Sequence, residues 1–278
     1  MAEPGGQASV DGDEKSPMLK QGERQEETSG LRLQGSPEES SIDDDQPALF
    51  NFYLLTGVTE TVGIICLVIV IAWVAHFRGG FAWDGSGKEF NYHPVFMVVG
   101  LVFLYGNGAM VYRVFRNTEK QYTKLVHMVV QILALIFTIL GLVTVFDFHN
   151  KQNIPNMYSL HSWVGIAAVV LFGCQLLFGF LAFLFPKFPE TYRAQYLMVH
   201  QYFGSAVFVI AVGNCLLGIT EKLLFSIKPS YPKFVTEGIL ANVLGIFLVV
   251  FGGLVLHLVT HKSYKRRPDD RKSYSQIN

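Results

Sequence analysis

Four histidines in this 278-residue chain are distinguished by where they fall. His93, His127, His161 and His200 each sit a few residues from one end of a long apolar run. An ionisable side chain within a membrane span is costly and generally marks a functional pathway, although a single one is commonly a core residue bonded to a carbonyl. His93 and His161 enter their runs from one side of the membrane and share a layer. His127, just after Lys124, and His200, soon after Arg193, share a second layer near the opposite face. Two neutral imidazoles facing each other across a helix bundle can fill both axial positions of a haem iron, which leaves none open to oxygen and suits electron transfer. Zinc or another small ion would want further close ligands such as Cys or carboxylate, and none is placed at these depths.

The elements that must position these histidines are legible as six apolar runs, at roughly 49–75, 93–112, 125–146, 159–185, 197–219 and 238–260. About 20 residues of helix at 1.5 Å rise span roughly 30 Å, the thickness of a hydrocarbon core. No Asp, Glu, Lys or Arg interrupts the intervals Lys124–Asp147, Lys151–Lys187, Arg193–Glu221 or Glu237–Lys262. A backbone in lipid must satisfy its own hydrogen bonds, so the β-branched content of these runs does not prevent helix. The composition, 50% hydrophobic and only 16% charged, agrees. The expected fold is an all-α membrane protein with six transmembrane helices in a bundle.

Lysine and arginine counts set the orientation. Sixteen fall on the side that holds both termini and the 113–124 and 186–196 loops, against six on the other. The positive-inside rule makes the first side cytoplasmic. Residues 1–46, rich in Gly, Ser, Pro and acidic residues, read as a disordered cytoplasmic tail, and residues 263–278 as a basic one, flanking a membrane domain at 47–262. The tail lacks the layout of a cleavable signal peptide. Its "EKSPML" segment (14–19) is similar to an acidic dileucine sorting address. Cys66, Cys174 and Cys215 lie inside apolar runs without CxxC spacing and read as buried small hydrophobes. No basic patch suggests a nucleic-acid partner.

Five segments, "FNYHPVFM" (90–97), "YRVFRN" (112–117), "YSLHSWVG" (158–165), "VHQYFG" (199–204) and "GITEKLLF" (218–225), closely resemble the animal cytochrome b561 family, of the chromaffin-granule or duodenal ferric reductase type. The resemblance covers about residues 50 to 268. It implies a transmembrane oxidoreductase that carries electrons from cytoplasmic ascorbate through two b haems to a lumenal or extracellular acceptor, monodehydroascorbate or ferric iron. By motif, His93 and His161 would hold the lumenal haem and His127 and His200 the cytoplasmic one. Arg113, Lys120, Glu221 and Lys265 would lie at the cofactors. Lys120, Lys124 and Arg193 would bind ascorbate, with Asn156 and Tyr158 at the acceptor side. His149 and Glu237 would stand at an acceptor-side metal, and the assembly would be a homodimer in a secretory-vesicle, endolysosomal or plasma membrane.

From the residues alone, ascorbate is a monoanion and haem propionates are anionic, so cytoplasmic lysines and arginines can recruit the donor and compensate the cofactor. On the lumenal side His76, His149, Asn156, Tyr158, Glu221 and Glu237 can form an acceptor surface. Ten glycines along the four histidine-bearing spans permit close approach of helices or of a macrocycle, but small residues pack membrane helices without any cofactor. Glu60 is an intramembrane carboxylate. His257 and His261 read as interfacial residues without a partner at their depth. The main rival is a metal-ion transporter with histidines along its path; it predicts polar groups at middle depth, where the runs are nearly apolar.

Overall fold

A computed structural model describes residues 46–265, and all regular structure among them is helical. The N-terminal tail with its "EKSPML" segment, and most of the basic C-terminal tail, lie outside the described residues. Among the described residues, six helices are long and apolar enough to cross a membrane. They are α1 (Gln46–Phe77), α2 (Gly87–Val114), α3 (Lys120–Lys151), α4 (Leu160–Phe183), α5 (Glu190–Ile227) and α6 (Thr236–Thr260). Several outrun their charge-free cores. A charge ends an apolar run but not a helix, so α5 continues past Glu221 and Lys222 to Ile227.

The helix ends follow local chemistry. Ser159 caps α4 by accepting from the Ser162 amide, while the Ser162 hydroxyl answers the Ser159 amide, a reciprocal capping box. The turn into α2 runs through Gly79 and Gly80, both at positive φ, which costs glycine little. Asn91 then donates to the carbonyls of Arg78 and Gly80, which ties that turn to the start of α2.

Packing makes α2, α3, α4 and α5 a four-helix core. Helix α2 lies on α3, α4 on α5, and α5 on α2, while α6 flanks α5 and α2 and carries α1 along its length. The pairs α2/α4 and α3/α5 stand diagonally across this core. Helix α2 is the central element, with 61% of its apolar window buried against 17% for α4. Without a hydrophobic drive between helices in lipid, tight packing around small residues carries the association. A Cβ on Gly63 would lie 2.7 Å from the Phe251 ring, and one on Gly100 would lie 2.8 Å from the Ala134 carbonyl. At that second contact α2 widens into a π-helix over Val98–Leu104, a form that often accompanies functional sites.

The interior is less apolar than the charge-free runs imply. Asn107 donates to Glu60 at 3.4 Å and to the Phe103 carbonyl, and Gln131 is buried one turn after His127. Uncharged amides leave no gap in an apolar run, so these positions escape a reading based on charge. The three cysteines are free; Cys66 is buried, and Cys174 and Cys215 are half-buried.

Candidate functional site: paired histidines at both ends of the bundle

Each helix of the core contributes one histidine, and the four meet as two diagonal pairs. His93 on α2 faces His161 on α4 with ring centroids 6.1 Å apart, and His127 on α3 faces His200 on α5 at 6.3 Å. A metal–nitrogen bond of about 2.0 Å at each ring, plus roughly 1.1 Å from ring nitrogen to centroid, puts two trans imidazoles roughly 6.2 Å apart. Both pairs therefore stand at the separation that one metal ion held between them requires. Because the paired helices are diagonal, the plane between the rings opens into the core and is not closed by helix contact.

Three of the four outer ring nitrogens are held as metal-binding histidines are held. Nδ1 of His93 donates to the Gly141 carbonyl at 3.0 Å, that of His127 to Gly108 at 2.7 Å, and that of His161 to Asn214 at 3.0 Å. Such a bond fixes the tautomer and leaves Nε2 as the free donor to a metal. Nδ1 of His200 is buried without a partner; its ring is held by packing against Phe183 and Tyr196. A glycine stands at each ring. Gly141 and Gly108 supply the accepting carbonyls, while a Cβ on Gly218 or Gly179 would lie 2.7 Å or 3.0 Å from Cε1 of His161 or His200.

A cavity of about 430 Å³ opens at the His93/His161 end, within the usual range of small-molecule sites. Both histidines line it, with an apolar floor that includes Leu101, Val169 and Leu248. His149, Asn156, Tyr158 and Glu221 line its polar rim. Glu221 accepts from the Ser159 hydroxyl at 3.3 Å. Tyr158, outside the spans, has its phenol pKa raised by partial desolvation and then by the charge of Glu221. Glu237 does not reach the cavity lining. It is buried, accepts from Trp73 Nε1 at 2.8 Å and forms an ion pair with Arg78. His76 is exposed against Phe77.

The profile of eukaryotic cytochrome b561 matches residues 92–226, a stretch that holds all four paired histidines. The chain is 44% identical over 220 residues to the transmembrane ascorbate-dependent reductases of Sus scrofa and Homo sapiens, covering 79% of this chain and 86% of each relative. It is also 44% identical over 207 residues to the plasma membrane ascorbate-dependent reductase of Xenopus tropicalis, covering 73% of both. The chain belongs to the cytochrome b561 family.

Cytochrome b561 implies a b-type haem, and the histidine pairs fit one on their own geometry. The trans separation, the anchored Nδ1 atoms and the glycine-lined ring faces are what a bis-imidazole iron needs. The basic residues expected at the other end of this cytochrome b561 bundle divide into two groups. Arg113 donates to the Val259 carbonyl and so caps the last turn of α6. Lys124 donates to the Phe183 carbonyl at 3.1 Å, and Lys120, Lys187 and Arg193 are close enough for their charges to act on it. None of these four cations forms an ion pair among the described residues. Lys265 is exposed beyond α6.

Three charged residues at the two sites are missed by a reading of motifs alone. Lys222 and Arg78 line the cavity, Lys222 with Nζ 3.9 Å from the Phe90 ring centroid, and Lys187 joins the basic group. Sequence counting placed Lys222 in a loop because Glu221 ended the apolar run; its one signal was its place within "GITEKLLF".

Proposed function

We propose that this chain is an ascorbate-dependent transmembrane reductase with two b haems, one between His93 and His161 and one between His127 and His200. Electrons from cytoplasmic ascorbate enter at the His127/His200 end, and monodehydroascorbate or ferric iron accepts them at the lumenal or extracellular end. The observation that carries this reading is the pair of trans-spaced histidine couples, 6.1 Å and 6.3 Å, on opposite ends of one bundle. Haem, when bound, would be held by these imidazoles and would supply one-electron redox chemistry.

The remaining roles belong to the protein's own side chains. Lys120, Lys124 and Arg193, joined by Lys187, make a cationic group with no ion pair among the described residues, which attracts the ascorbate monoanion and holds its oxygens through charge-assisted bonds. Arg113 and Lys265 act at the periphery of that end, Arg113 through the α6 terminus it caps. At the opposite end Asn156 and Tyr158 offer hydrogen bonds to a sugar-like acid. His149 and Glu221 offer nitrogen and carboxylate to ferric iron, and Arg78 and Lys222 offset anionic groups inside the cavity. Glu237 supports this surface through Arg78 and contributes no direct contact. Both termini lie in the cytoplasm, the host membrane is that of a secretory vesicle, an endolysosome or the cell surface, and the assembly is a homodimer.

The visible spectrum of the purified protein tests this proposal. Ascorbate should reduce a b-type signal. Replacing His127 or His200 should block entry of electrons, while replacing His93 or His161 should spare the first reduction. A protein without a reducible b-type signal would overturn the reading. Vesicles loaded with ascorbate, presented with ferric chelate or monodehydroascorbate outside, distinguish the acceptors.

A further inference from the structure

His257 and His261 lie outside both histidine pairs, four residues apart at the end of α6. Two residues at that spacing share one helix face. Their rings approach to 5.1 Å between centroids with planes at 47°. With metal–nitrogen bonds of about 2.0 Å and the tetrahedral angle at the metal, two imidazoles on one ion have centroids roughly 5.1 Å apart. The separation is thus that of two adjacent ligands on one ion. It is clearly shorter than the 6.1 Å and 6.3 Å of the trans pairs in the same molecule.

Three further features support a ligand here. His261 is half-buried, and its Nδ1 is a buried polar atom with no hydrogen-bond partner. Its ring is held against the buried Tyr264 at 4.5 Å, and Tyr264 packs in turn on the buried Phe52 of α1, so the ring is oriented before any ion arrives. His257 is exposed, which gives an ion a way in. The site lies at the His127/His200 end, beside the Val259 carbonyl that Arg113 caps.

We infer that His257 and His261 form a two-imidazole chelate for a borderline divalent cation of the zinc class, with water completing its coordination; copper(II), which takes the same nitrogen donors in a flatter geometry, serves as its spectroscopic probe. Two nitrogen donors suit these ions, whereas magnesium and calcium want oxygen. No third His, Cys, Asp or Glu joins the pair among the described residues, so the site is open and its binding reversible. The exposed Lys262 and Lys265 beside it lower its affinity for a bare cation. Occupation ties the last turn of α6 to the residue that begins the segment after it.

Copper(II) alone, titrated into the full-length, fully oxidised and ascorbate-free protein in detergent, tests the inference by electron paramagnetic resonance. One tight copper per chain is expected, with hyperfine splitting from two imidazole nitrogens and displacement by zinc. His257→Ala and His261→Ala should each weaken binding at least roughly tenfold, because a chelate loses its effective concentration when one arm is removed. His76→Ala, at the opposite end, should leave binding unchanged. Retention of tight copper in the double variant would overturn the inference, as would a single-nitrogen pattern in the unmodified protein. The nitrogen count in the unmodified protein decides the matter even if a variant folds poorly, and an unchanged b-type spectrum identifies the variants that fold.

Discussion

Gly218 on α5 stands against the ring of His161 on α4, so close that a Cβ at position 218 would lie 2.7 Å from Cε1. Real Cβ atoms do not approach so closely, and overfilling a packed site typically costs about 1–3 kcal/mol. Gly218→Val should displace His161 and remove the b-type signal of that end while the His127/His200 signal persists. Gly179→Ala, with a 3.0 Å approach to His200, should perturb the other end more mildly. Low-spin haem resonances of the two variants, compared with the parent, read both effects.

The cluster of Lys120, Lys124, Lys187 and Arg193 should act mainly on capture of the donor. Lys124→Gln and Arg193→Gln are expected to raise KM for ascorbate several-fold with a smaller change in kcat. The salt dependence of kcat/KM should flatten in both, because screening acts on the charge that has been removed. Steady-state reduction at several ionic strengths checks this, and an unchanged KM with a lowered kcat would argue against a docking role.

Arg78 and Glu237 join the end of α1 to the start of α6 through a largely buried ion pair, with side chains 19% and 9% exposed. Removing one member of such a pair costs about 3–5 kcal/mol, since the other charge is left unpaired. Glu237→Ala should therefore lower the melting temperature markedly. Arg78→Met combined with Glu237→Leu should recover much of the loss, which thermal unfolding in detergent will show.

Tyr158 should ionise above the ordinary tyrosine range, from desolvation first and the Glu221 charge second. A raised folded pKa means that its contribution to stability is intact at neutral pH and is lost progressively as pH rises from the ordinary tyrosine range through the shifted value. The difference in ultraviolet phenolate absorbance between the parent and Tyr158→Phe isolates this titration. Glu221→Gln should bring it back by the smaller part of the shift.

The two histidine layers were legible from charge-free intervals, because a depth along a helix is a count of residues from its ends. The same counting failed at Lys222. Glu221 closes the apolar run, yet α5 continues to Ile227 and carries Lys222 to the cavity. The buried pairing of Glu237 was equally hidden. Its partners Arg78 and Trp73 lie about 160 positions away in the chain, and only folding brings them together. For His257 and His261 the spacing was visible, but nothing in the sequence showed that Tyr264 and Phe52 would back the pair.

The sequence by itself determined that six helices cross a membrane and that four of them carry histidines at two depths. Lipid offers the backbone no hydrogen bonds, so every span must be a helix whose length and ends can be counted. The tertiary structure alone decided that the rings of each pair face each other at a trans separation, which cations gather at the His127/His200 end and which charges pair with each other. Spans such as α1 and α4 are apolar on nearly every side, so no polar stripe announces their rotation. That rotation is set by close contacts at glycines, such as Gly63 on Phe251 and Gly100 on the Ala134 carbonyl, between residues far apart in the chain.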